Sequence, residues 1–109
     1  SFTITVLVLL EDAGFCKKGE GGDFVAQGHL RRGGRHPLNT DGGGLSACHS
    51  GMRGLFLIAE AVRQLRGEAG ERQIPSATGN RSKALTHNLG GVPGACVSFV
   101  SIVGSRPGA

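Results

Sequence analysis

Apolar positions follow three different rhythms along this chain. Over Ser1–Gly14 (SFTITVLVLLEDAG), Phe2, Ile4, Val6, Val8 and Leu10 alternate with Thr3 and Thr5. A period of two in a β-branched run predicts, on its own, a strand. The run is too short to cross a bilayer and ends in Glu11-Asp12, and no basic segment precedes it, which argues against a signal peptide. Further on, Met52, Leu55, Phe56, Ala59, Val62 and Leu65 or Arg66 recur at three-four spacing and predict one buried face of a helix over Gly51–Arg66. Leu57 and Ile58 widen that stripe, so burial on most sides is expected. Arg53, Glu60, Arg63 and Gln64 lie opposite, with Glu60 one turn from Arg63 as an ion-pair partner. Gly67 stands where a C′ glycine would end the helix. Near the end, Ala84–His87 and Cys96–Val103 predict two short strands, the second alternating apolar residues with Ser98 and Ser101.

The intervening stretches are polar and rich in glycine. Phe15–Leu38 reads as loop, with Phe24-Val25 tucking one short turn against the core. Its end (Arg31, Arg32, Arg35, His36) reads as a solvated surface. Glu68–Lys83 reads as a polar connection, and Ser105–Ala109 as a frayed tail. A length of 109 residues suits one small domain, yet glycine supplies 20 of them, with five Phe and neither Trp nor Tyr. Such a chain loses much backbone entropy on folding and has few large side chains to bury. Met52 is the sole methionine. Both features fit a fragment of a longer protein, one that alone is poorly stable or associates.

Charge and cysteine usage narrow the function classes. A net charge of +4 is spread in short groups without interleaved aromatics, which argues against a nucleic-acid partner. Three cysteines without paired spacing argue against a disulfide framework and a zinc site, and for a reducing, cytoplasmic compartment. Cys16 and Cys96 read as buried small side chains.

Candidate chemistry concentrates in Asn39–Gly67 (NTDGGGLSACHSGMRGLFLIAEAVRQLRG), where a glycine run leads through Cys48-His49 into the long helix. The helix start would present free N–H groups and its positive dipole end there. GGGLSA satisfies a dinucleotide fingerprint formally, but no hydrophobic strand precedes it. A Walker phosphate loop is excluded by the missing Gly-Lys-Ser/Thr. Taken alone, the run is a tight turn before a helix and His49 a structural residue.

A resemblance changes that balance. NTDGGGLSACHSGMRG resembles the Asn-x-x-Gly-Gly…Gly-His-Pro-x-Gly-x-x-Gly loop of the thiolase superfamily. Gln64–Gln73 (QLRGEAGERQ) and Ala84–Gly91 (ALTHNLGG) are similar to the closing segments of sterol-carrier-type thiolases and their lipid-transfer relatives, in the same order. Ser1-Phe2 would match the end of a His-Asp-Cys-Phe motif that opens a helix, so the resemblance implies a helix, not a strand, over the first segment, with Gly14 as its C′ residue. The implied fold class is α/β: the C-terminal part of a thiolase-like fold, with a helix, a glycine-rich loop, a long core helix and two closing strands, residues 1–109 forming a partial domain.

The resemblance also implies the chemistry. In that family the histidine matching His49 helps activate a cysteine nucleophile and donates a hydrogen bond to the thioester oxygen, where an oxyanion needs a fixed donor. Here Cys48 replaces the family's Gly and Ser50 its Pro. His87, in a His-Asn-Leu-Gly closing loop, is a candidate for proton transfer, and the Gly90-Gly91 backbone a second oxyanion donor. Asn39, Gly43, Gly44 and Cys48 would line the substrate loop. The implied substrate is a coenzyme A thioester, with no bound cofactor or metal, and the reaction Claisen-type acyl transfer or thiolytic cleavage. The acyl-accepting cysteine belongs to an N-terminal half outside this chain, so the segment alone is expected to be inactive. Its partners would be the remainder of a longer chain or further copies in a homo-oligomer. Two alternatives stay open: a non-catalytic lipid-transfer or scaffold relative, and a steroid side-chain carbon–carbon lyase working with a small partner protein.

Overall fold

Helix α1 spans Thr3–Asp12, where alternation alone predicts a strand. A computed structural model of the chain describes residues 2–47, 52–78, 82–92 and 95–105, with backbone alone at 78, 91, 92 and 95. Two compact units result, Ser1–Leu38 and Asn39–Ala109. No strand occurs among the described residues of the first unit. A lone strand there would leave its backbone groups unpaired, whereas a helix bonds its own. The helix ends in a Schellman motif: Phe15 N–H donates to Leu10 C=O and Gly14 N–H to Glu11 C=O, with Gly14 at φ +80°.

Phe15–Leu38 is more ordered than its composition predicts. A short helix, α2 (Gly21–Ala26), starts where Gly21 N–H donates to Glu11 Oε1 at 3.0 Å. Gly21 has no room for a side chain, because a Cβ would lie 2.9 Å from that oxygen and 3.3 Å from Leu7 C=O. Phe24 packs on His29 (centroids 4.7 Å apart), and His36 meets Phe15 edge-on at 5.1 Å. His36 is therefore a half-buried member of an aromatic cluster and not part of a solvated surface, while Arg31, Arg32 and Arg35 are exposed as predicted.

In the second unit, helix α3 occupies Arg53–Arg66 and ends at Gly67 (φ +75°), with Glu68 N–H donating to Arg63 C=O. Gly51 lies outside the described residues. The orientation of α3 differs from the periodicity. Glu60 and Gln64, placed by pattern on the solvent side, are buried, while Met52, Leu55, Phe56 and Ala59 of the predicted buried stripe are exposed. Leu57, Ile58, Val62 and Leu65 are half-buried. Glu60 pairs with Arg72 instead of Arg63.

The stretch after α3 holds two 3₁₀ turns, Gly70–Arg72 and Pro75–Thr78, and buries Ala69 and Ile74. The closing strands are ten residues each, β1 (Lys83–Val92) and β2 (Ala95–Gly104), paired antiparallel with His87 opposite Val100 and Gly90 opposite Val97. Asn88–Gly91 thus continues the strand and is not a loop: the ladder runs through both glycines. Alternation gives the hairpin two faces. Thr86 is buried and bonded to Ser101 across the strands at 2.8 Å, on the face that packs on α3. Leu85, Leu89, Val100 and Ile102 lie exposed on the other. Cys96 is exposed and Cys16 half-buried, so neither is the buried side chain predicted. The tail beyond Ser105 lies outside the described residues.

Candidate functional site

The loop before α3 is built from residues that tolerate or demand unusual backbone. Asn39 adopts φ +48°, a region that asparagine visits more readily than most residues, and Gly42 and Gly43 follow at φ +98° and +71°. A short 3₁₀ turn, Gly43–Leu45, comes next. Gly43 is buried, and a Cβ there would lie 3.6 Å from the Asn39 side chain, while Gly44 and Leu45 are exposed. Asp41 fixes the turn by accepting Gly43 N–H on Oδ1 at 3.1 Å, an Asx geometry.

The same loop is bonded to α3 at two points. Arg53, the first residue of the helix, donates to both oxygens of Asp41, the Nη2–Oδ1 bond being 3.0 Å. Thr40 Oγ1 donates to Glu60 Oε1 at 2.9 Å. Glu60 also accepts from Gln64 Nε2 at 3.1 Å and from Arg72 Nη2 at 2.9 Å. Gln64 continues the network, donating to Arg72 C=O and accepting Ile74 N–H, both at 2.9 Å. One buried polar seam therefore ties together the loop, the helix and the 70–74 turn.

Charge follows from these contacts. The Arg53 guanidinium, hydrogen-bonded to Asp41, holds that carboxyl below its usual range despite partial burial. Burial pushes Glu60 upward, but bonds from Arg72, Gln64 and Thr40 outweigh it and leave the carboxyl lowered. Both carboxylates are ionised at neutral pH and already committed as acceptors, so neither is poised as a general base.

Known proteins share this arrangement of sequence. The model of the thiolase C-terminal domain-like family matches residues 1–104, nearly the whole chain. The chain belongs to that thiolase family. Among its relatives, an acetyl-CoA acetyltransferase of Methanothermobacter thermautotrophicus is 43% identical over 94 residues, covering 85% of this chain and 24% of the relative. A 17-hydroxy-3-oxo-4-pregnene-20-carboxyl-CoA lyase of Mycobacterium tuberculosis is 54% identical over 66 residues, 61% of this chain and 17% of that enzyme. Sterol carrier protein 2 of Rattus norvegicus is 43% identical over 90 residues, 82% of this chain and 16% of the relative. The chain thus spans a quarter or less of these curated relatives. No solved structure matches it significantly.

Within this thiolase-family segment, Asn39, Gly43 and Gly44 come together in one turn. Cys48 and His49 lie outside the described residues. His87 stands mid-strand in β1, its ring hydrogen-bonded to Ser98 on the hairpin face turned away from α3. Its neighbour Asn88 faces α3, and a Cβ at Gly54 would lie 2.6 Å from Asn88 Oδ1. That oxygen is buried without a hydrogen-bond partner, the one such side-chain atom among the described residues. Gly90 and Gly91 stand opposite Val97 and Cys96 in the ladder. Sequence reading missed Asp41, Arg53, Glu60 and Asn88. An aspartate two residues before a glycine is a turn signal that would have found Asp41. No described group of three or more His, Cys, Asp or Glu is arranged to hold a metal ion. No described helix is long and apolar enough to cross a membrane.

Proposed function

We propose that this chain is the C-terminal part of an acyl-CoA enzyme of the thiolase type, performing Claisen-type acyl transfer or thiolytic cleavage on a coenzyme A thioester. The observation that carries the reading is the glycine-rich turn. It leads into Cys48-His49 and is docked on α3 by Thr40–Glu60 and Asp41–Arg53, within a segment matching the family over residues 1–104. In this reading the His49 imidazole donates to the thioester oxygen as negative charge grows there. His87 moves a proton or orients a neighbour, and the Gly90-Gly91 backbone supplies a second donor. Residues 1–109 contribute these groups but no acyl-accepting cysteine, so they are inactive alone and act with the remainder of a longer chain, in a homo-oligomer, in the cytoplasm.

His49→Ala in the full-length protein tests this. A fixed oxyanion donor is worth on the order of 10²–10³ in rate, so turnover should fall by that factor while substrate binding weakens far less. Full activity with an unchanged fold would sink the scheme. A second reading, a carbon–carbon lyase acting on a steroid side-chain thioester, is favoured by the 54% identity over 66 residues to the mycobacterial lyase. A nucleophile cysteine upstream supports acyl transfer, and its absence supports the lyase or a lipid-transfer role.

A further inference from the structure

Two local preferences are broken at one contact between α3 and β1. Gly54 is the second residue of α3, where glycine weakens a helix that alanine would support. Asn88, on the hairpin face that packs on that helix, holds its carboxamide oxygen buried without a hydrogen-bond partner. Enclosing an acceptor without a donor is costly. The two departures depend on each other. A Cβ at Gly54 would lie 2.6 Å from Asn88 Oδ1 and 3.1 Å from Cγ, so the helix gives up a side chain to admit the carboxamide. A small apolar residue at position 88 would remove both costs. Thr86, two residues earlier on the same face, is buried and satisfied through Ser101. The hairpin can therefore bury a polar side chain with its partner, and at Asn88 it does not. Departures of this kind collect at functional sites, where activity is kept at the expense of stability.

Position and polarity say what the carboxamide can do. Gly54 follows Arg53, whose guanidinium binds Asp41 of the glycine-rich turn, so Asn88 stands at the end of α3 on which that turn is anchored. Its neighbour His87 is on the opposite face, with its ring engaged by Ser98. The positive end of the α3 dipole favours an oxygen over an N–H beside Gly54. That preference sets the orientation of the amide and leaves Nδ2 as its donor end.

We propose that Asn88 is a substrate-contacting residue. With Oδ1 seated on Gly54, Nδ2 donates to the carbonyl oxygen of the bound acyl thioester as negative charge grows there. The donor role rests on the function proposed above, whereas the cost of the carboxamide to the fold does not.

Thermal melts and steady-state cleavage of acetoacetyl-CoA by coenzyme A, both on the full-length protein, test the two halves separately. Asn88→Ala should melt at or above the parent. It should also lower kcat at least tenfold with KM within threefold, as the loss of a contact made in the transition state does. Asn88→Asp keeps an oxygen for the Gly54 side and replaces the donor with a second acceptor, so it should lose as much activity. A melting point below the parent's in Asn88→Ala makes the carboxamide a packing element and overturns the inference. Parent-level kcat in either variant overturns it too. Full activity in His49→Ala beside a loss in Asn88→Ala removes the acyl-transfer scheme and leaves Asn88 in contact with substrate. A loss in His49→Ala beside full activity in Asn88→Ala overturns the Asn88 contact alone.

Discussion

On one side of α3, Arg53, Glu60 and Gln64 are enclosed by hydrogen bonds to the glycine-rich loop and the 70–74 turn; on another, Leu55, Phe56 and Ala59 face outward. The two sides differ in what they can specify. Apolar contact is non-directional, and many partners satisfy it. A buried carboxylate with three donors has essentially one arrangement, and missing any of them is costly. The polar seam therefore determines where the loop docks, while the exposed apolar side contributes little to the fold of this segment.

Breaking the polar side should cost most. Glu60→Ala strands Thr40 Oγ1, removes one of the two acceptors of Gln64 Nε2 and unpairs Arg72. With the Arg72 side chain 44% exposed and free to rehydrate, the loss should be about 2 kcal/mol, read as a lower urea midpoint. Glu60→Gln keeps an acceptor for Thr40 and should lose about half as much. Next comes Gly54→Ala, where the Cβ would meet Asn88 Oδ1 at 2.6 Å. Its helix-propensity gain of about 1 kcal/mol should be cancelled or exceeded by the clash. Pairing it with Asn88→Ala, which removes both the obstacle and the orphaned oxygen, should restore stability to the parent level or above. Non-additivity near zero would show that Gly54 and Asn88 do not meet.

A smaller effect is expected on acidification. Asp41 and Glu60 both have folded values below their unfolded ones, so the native state binds fewer protons in that range. Their stabilisation is present above the ordinary carboxylate values of about 3.9 and 4.3 and is lost as pH falls through the lowered folded values. Thermal melts should be flat from pH 7 to 5 in these contributions and decline below pH 4. Asp41→Asn should flatten that decline. The smallest change belongs to the apolar side: Leu55→Ser in residues 1–109 should move stability by less than about 0.5 kcal/mol. A loss of 2 kcal/mol or more there would overturn the contrast between the two sides.

The existence of α3 and its end at Gly67 were legible, because three-four spacing and a C′ glycine are local signals. Its orientation was not, because spacing counts apolar residues and cannot see that Glu60 and Gln64 find partners at Thr40, Arg72 and Ile74. Alternation over Thr3–Asp12 pointed to a strand, while the resemblance pointed to the helix that forms. With no strand among the described residues of its unit to pair with, local preference lost to backbone pairing. The resemblance placed Gly90-Gly91 in a closing loop, yet register with Val97 and Cys96 carries the ladder through both glycines, although glycine weakens strands. In the candidate site the glycine turn was legible and the Asp41–Arg53 ion pair beside it was not.

The hairpin register also makes parity a form of information. His87 and Asn88 are adjacent, yet they are delivered to opposite faces, one beside Ser98 and the other beside Gly54. A shift of one residue in β1 against β2 would exchange them, pressing an imidazole against α3 and turning the amide outward, and every other side chain of the strand would change sides with it. Length changes inside this hairpin therefore preserve its two surfaces only when they come in pairs.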